Sequence, residues 1–191
     1  MPCCRCLASI RHAAPEAELI VVDDASTDGT ADEIRRSHPR VRLLVNDRQA
    51  GFSRSANRGL ATAEGDPLML LNSDTEVAAR GVAAVRAAFA SDPELGIAGA
   101  ELRYPDGSAQ WSAGREPTAL WLFGQASGLP ALLGRVPGYR LVKRPGLGSE
   151  AAADWVSGAA FALRRAAWQR VGPFDESYRF YCQDLDLCLA A

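Results

Sequence analysis

Two short apolar runs that stop at carboxylates constrain the fold more than any other feature. Leu68-Met69-Leu70-Leu71 leads straight into Asn72-Ser73-Asp74, and Leu19-Ile20-Val21-Val22 into Asp23-Asp24. Four apolar residues in succession read as strands buried on both faces, the habit of a parallel sheet. In an open α/β sheet, ligands sit just beyond the carboxyl ends of the strands. A carboxylate held there is a natural ligand for a hard divalent cation.

Helix-periodic segments alternate with these runs. Leu7 and Ile10 share a face in residues 6–11, which read as the tail of a short helix. Phe52, Ala56, Leu60 and Ala63 do so in residues 52–63, and Val82, Val85 and Phe89 in residues 78–90. Residues 31–37 form another helix, stopped by Pro39. Further strands are expected over residues 41–45 and 95–102. This alternation predicts an α/β fold: a mainly parallel sheet flanked by helices. The turn Tyr104-Pro105-Asp106-Gly107-Ser108, with a return arm over residues 109–112, adds a mixed, antiparallel C-terminal part. Residues 117–148 follow no regular pattern. Residues 154–161 are expected as one strand passing through small residues, 163–171 as a helix, 172–176 as a turn, and a last helix opens at Gln183.

Composition narrows the function classes. With 48% hydrophobic and 23% charged residues the chain is globular rather than disordered. Its 191 residues suit a single domain. A net charge of -2 leaves no electrostatic footprint for nucleic acid. No apolar run is long enough to span a bilayer, and nothing resembles a signal peptide. Cys3, Cys4, Cys6, Cys182 and Cys188 do not match a paired CxxC zinc site; they read as free thiols of a reducing cytosol. His12 and His38 read as surface residues.

Taken singly, the acids have plain structural readings. Asp24 with Ser26 suits a capping turn. Asp74 could cap the next helix, and Asp184 could be a first-turn acid favoured by the helix dipole. Asp186 reads as a solvated helix acid.

Five segments in fixed order change that balance. VVDDASTDGT (residues 21–30), GFSRSANRG (51–59), LLNSD (70–74), WVSGA (155–159) and FDESYRFYCQDLDLC (174–188) together resemble the inverting family-2 glycosyltransferases of GT-A fold. The rhamnosyltransferase-like branch that builds cell-surface polysaccharide is the most similar. The resemblance runs from about Leu7 to Leu189.

It implies a donor half over residues 1–100 and an acceptor-side half over 101–191. Asp23, Asp24 and Ser26 would meet the nucleotide, a carboxylate accepting the ring N–H of a pyrimidine base. Arg54 and Asn57 would flank it. Asn72, Ser73 and Asp74 resemble the D-x-D triplet, Asn72 replacing the first acid and Asp74 holding Mg²⁺ or Mn²⁺ against the diphosphate. Trp155, Ser157, Gly158 and Ala159 would face the donor sugar and acceptor. Asp184 resembles the catalytic acid of an E-D pair, with Gln183 in place of Glu.

The implied partners are a nucleoside-diphosphate sugar and a glycan or lipid-linked acceptor, with the chain cytoplasmic. Apolar residues over 121–142, followed by Lys143-Arg144, would suit peripheral contact with the inner face of the plasma membrane; a lid over the sheet is the preferred reading. The resemblance also implies a preceding strand and a following segment, so the chain reads as incomplete at both ends. A non-catalytic binding domain derived from such an enzyme is the alternative. A nucleotidyltransferase is disfavoured, since no Gly-rich basic N-terminal loop is present.

Overall fold

The computed structural model describes residues 2–116, 119, 127, 151–178 and 181–191. Helix α1 (Pro2–Ala13) buries Cys6 and Leu7. Strand β1 (Ile20–Asp23) and strand β2 (Arg42–Val45) pair in parallel, Val22 opposite Leu44, with helix α2 (Thr30–Ser37) as their crossover. A parallel pair needs such a crossover. Helix α3 (Phe52–Thr62) leads to β3 (Leu68–Leu71), and helix α4 (Ala79–Ser91) to β4 (Ile97–Gly99).

The later chain returns into the sheet. β5 (Ala113–Gly114) pairs with β6 (Trp155–Val156), and β7 (Ala160–Leu163) lies between β3 and β4, antiparallel to both. The described ladders therefore comprise one parallel pair and three antiparallel ones. Because β7 is flanked on both edges, all four of its residues are buried. Helix α5 (Arg165–Val171) and helix α6 (Gln183–Ala190) complete the described fold.

The core gathers Ala56 and Leu60 of α3, Leu68 of β3, Phe161 and Leu163 of β7, Phe174, and Leu187 of α6. Phe174 is its centre. Its ring lies 5.8 Å from Phe52, 6.0 Å from Phe161 and 6.4 Å from Trp168. Burying a phenyl ring stabilises by about 2 kcal/mol or more. That burial ties the turn ahead of α6 to α3, and so positions the start of α6.

Four expectations need correction. Residues 154–161 are not one strand, because β6 pairs with β5 while β7 joins β3 and β4. Leu163 belongs to β7, and the helix after it begins at Arg165. The strand expected over residues 95–102 is confined to Ile97–Gly99. His38 is not on the surface. As the C-cap of α2 it is 8% exposed, with Arg11 Nη1 of α1 lying 3.4 Å from its Nδ1. The five cysteines are free thiols, and His12 is exposed. The segment expected at a membrane surface, residues 121–144, lies outside the described residues except for Ser127.

Candidate functional site

At the end of β1 the two neighbouring acids do different things. Asp23 is 4% exposed, and its Oδ2 accepts the N–H of the exposed Ser26 at 3.2 Å, closing the turn from Asp23 to Ser26. Asp24 is a staple. Its carboxylate accepts Asn46 Nδ2 at 2.7 Å, Ser55 Oγ at 3.2 Å, and the backbone N–H groups of Ala50 at 2.8 Å and Gly51 at 2.9 Å. It thereby fixes the β2–α3 loop and the start of α3 against the end of β1.

Two opposing effects act on Asp24. Desolvation favours its neutral form, but the donors from Asn46, Ala50, Gly51 and Ser55 outweigh it and hold the carboxyl below its usual range. The folded-state pKa is thus the lower one. The anion's contribution to stability is complete above the unfolded value of about 4. It is lost as the pH falls through the folded-state value. Asp24→Asn should therefore lower stability at neutral pH by about 2 kcal/mol. It should also flatten the acid limb of the stability curve. Urea unfolding between about pH 3 and pH 7 measures both effects, and parallel curves for the two proteins would refute the assignment.

A groove of about 500 Å³ opens beside this staple, lined by Asn46, Arg48, Ala50, Arg54 and Arg58 among others. Arg54 Nε pairs with Glu176 Oε2 at 2.8 Å, and Arg58 Nη1 donates to Val45 O at 2.8 Å. Asn57 is buried. Its Oδ1 accepts the Phe174 N–H at 2.8 Å while its Nδ2 donates to the Phe174 carbonyl at 2.9 Å. The amide is thus committed to holding the turn at residues 172–176.

At the end of β3, Asn72 donates its N–H to Ala159 O at 3.1 Å, and its carbonyl accepts Thr75 N–H and the Cys6 thiol, the latter at 3.6 Å. Burial raises the pKa of Cys6, keeping that thiol a donor. Ser73 and Asp74 are exposed. The cap of α4 is Ala78, with no side-chain cap, so Asp74 does not cap that helix. Among the described residues its carboxylate takes no hydrogen bond or ion pair, and no group of three or more His, Cys, Asp or Glu is placed to hold a metal.

Gly158 is a meeting point of distant segments. Its N–H donates to Asp184 Oδ2 at 2.9 Å, and a Cβ on it would lie 3.2 Å from Phe52 Cζ at the start of α3. Ala159, next in the chain, accepts Asn72. Ser157 N–H donates to Ser112 O at 2.8 Å, and Ser157 Oγ accepts Ala159 N–H at 3.3 Å. A glycine suits this close approach, since a side chain here would push against the Phe52 ring. Asp184 stands in the first turn of α6, its Oδ1 accepting Leu185 N–H at 3.0 Å. Gln183 Oε1 is buried with no partner among the described residues. A carboxylate there would be costlier to bury than the neutral amide.

Backbone strain marks the same places. The described non-glycine residues with positive φ are Ala25 (59°), Tyr181 (61°) and Cys182 (66°). Ala25 follows Asp24, and the other two precede Asp184 by two and three residues. Each such residue costs about 1–3 kcal/mol, and strain of this kind clusters at functional sites. Sequence reasoning missed Asn46, Ser55 and Glu176. Ser55 and Glu176 lay within quoted segments without a role, while Asn46 had no local signal.

Residues 4–148 match the profile described as glycosyl transferase family 2. The N-acetylglucosaminyl-diphospho-decaprenol L-rhamnosyltransferase of Mycobacterium tuberculosis is 31% identical over 200 residues, covering 96% of this chain and 64% of that protein. An O-antigen biosynthesis protein of Myxococcus xanthus is 27% identical over 191 residues, covering 96% of this chain and 14% of that one. Among solved structures, a mannosyltransferase of Pyrobaculum calidifontis in complex with GDP-Man and Mn²⁺ superposes with a TM-score of 0.58 at 20% identity, covering 97% of this chain and 46% of the other. The chain thus spans about two thirds or less of the length of these relatives.

Proposed function

This chain belongs to glycosyl transferase family 2 and has the GT-A fold, and from that premise we propose that it moves a sugar from a nucleoside diphosphate to a glycan or lipid-linked acceptor, with inversion at the anomeric carbon. The observation that carries the reading is the junction at Gly158, where the start of α3, the end of β3 and Asp184 meet. Residues 1–100 form the donor half and 101–191 the acceptor half.

Asp184 takes the proton of an acceptor hydroxyl as that oxygen attacks the anomeric carbon. The bond from that carbon to the diphosphate oxygen breaks on the opposite face, and the nucleoside diphosphate departs with the electron pair. Gly158 N–H holds Asp184 in place through one oxygen, and each carboxylate oxygen keeps a further lone pair for the proton. Asp23 or Asp24, with Ser26, Arg54 and Asn57, stands on the nucleotide side; Trp155, Ser157, Gly158, Ala159 and Gln183 stand on the sugar and acceptor side.

The donor set at the end of β3 is hard oxygen: the Asp74 carboxylate, the Asn72 amide and the Ser73 hydroxyl. It suits Mg²⁺ or Mn²⁺, which commonly bind through one or two carboxylates plus substrate phosphates. Such an ion, when bound, would neutralise charge on the leaving diphosphate. Asp74, exposed and without a hydrogen bond or ion pair among the described residues, is placed to hold it.

The names of the relatives point to cell-surface polysaccharide synthesis and to a lipid diphosphate acceptor, which would bring the chain to the inner face of the plasma membrane. Among the described residues no helix is long and apolar enough to cross a membrane. The test is transfer from a panel of dTDP-, UDP- and GDP-sugars, with Mn²⁺, to an N-acetylglucosaminyl diphosphate lipid in vesicles. The expected results are a glycosylated lipid of inverted anomeric configuration by NMR and co-sedimentation of the chain with the vesicles. Failure with every donor would overturn the reading.

A further inference from the structure

We propose that Trp111, seated edge-to-face on Trp155, is the platform on which the acceptor's sugar ring stacks; the inference rests on the transferase reading above and deepens it. Trp111 is 50% exposed. A large apolar ring left half in water and held rigidly beside a reaction centre is a ready recognition surface.

The rigidity comes from three contacts around Trp155. Its Nε1–H donates to Arg115 O at 3.2 Å. Its indole lies so close over Gly114 that a Cβ there would fall 2.7 Å from Nε1. Trp111 meets it with ring centroids 5.2 Å apart and planes at 75°. A fixed edge-to-face pair leaves one indole surface presented without a conformational cost on binding.

The placement is what selects the ligand. Ser112, next to Trp111, accepts the Ser157 N–H at 2.8 Å, and Gly158, next to Ser157, donates to Asp184 Oδ2 at 2.9 Å. Two backbone hydrogen bonds thus connect the segment that carries Trp111 to the proposed proton acceptor. A pyranose has an apolar C–H face and a hydroxyl rim. Stacked on Trp111, it would bury the C–H face and leave the hydroxyl rim free to react.

Saturation-transfer NMR with a soluble N-acetylglucosaminyl diphosphate carrying a short prenyl tail tests this, with nucleoside diphosphate binding titrated on the same samples. Wild type should transfer saturation to the ring protons. Trp111→Ala should lose it and bind the sugar about tenfold more weakly, whereas Trp111→Phe should retain most of it. Donor affinity should stay within about twofold in both variants, showing that the fold is intact. Ring contact of wild-type strength in Trp111→Ala, or none in wild type, overturns the platform. Nucleotide binding absent from wild type, with Trp111-dependent sugar contact present, would instead sink the transferase reading and keep the platform.

Discussion

Asp184→Asn is expected to slow sugar transfer by about 10²- to 10⁴-fold, the usual worth of a positioned general base, while leaving donor affinity near wild type. The substitution is chosen because the fold should survive it. Asp184 Oδ2 accepts the Gly158 N–H, and an asparagine carbonyl can accept it equally. Alanine would leave that N–H without its partner, at a cost of about 1–3 kcal/mol, and would confuse lost structure with lost chemistry. Asparagine removes the basicity and the second acceptor oxygen, the one that takes the Leu185 N–H, but keeps the Gly158 bond. Turnover should therefore fall with little change in the donor's KM, the pattern of an interaction made in the transition state alone. Wild-type turnover in Asp184→Asn would remove the residue from the reaction.

The site's dependence on long-range contacts explains what the sequence could disclose. The first strands and helices were legible because each repeats a period over its own length: Phe52, Ala56 and Leu60 mark one face of α3, and the apolar runs ending at Asp23 and Asn72 mark β1 and β3. The break between β6 and β7 was not legible. Residues 154–161 are small or apolar nearly throughout, and which sheet each part joins is settled by partners elsewhere in the chain.

The same distinction separates the candidate residues. The acids at strand ends announced themselves, but the donors that commit Asp24 come from Asn46, Ala50, Gly51 and Ser55, 22 to 31 positions later. Asn57 carries a polar side chain on a helix face, yet only the arrival of Phe174 shows that its amide is spent on the backbone. His38 looked superficial until Arg11 closed over it. Trp111 had no local signal at all, since its meaning comes from Trp155.

Asp74→Ala is expected to abolish the gain in nucleotide affinity that Mn²⁺ confers. Asp74 is exposed and among the described residues takes no hydrogen bond or ion pair, so its loss should change stability by less than about 0.5 kcal/mol. The turn it sits on is held by other groups: Asn72 N–H on Ala159 O, and Asn72 O accepting Thr75 and Cys6. The variant should therefore present the same surface without its anion. Calorimetric titration of a nucleoside diphosphate should show wild type binding about 10- to 100-fold more tightly with Mn²⁺ than without, while Asp74→Ala shows one affinity in both conditions. Asp74→Asn keeps an oxygen donor but not the charge, and should fall between them. An Mn²⁺ response of wild-type size in Asp74→Ala would place the cation elsewhere. The candidate pocket would then have to be rebuilt around Asp23, the remaining buried acid at the end of β1.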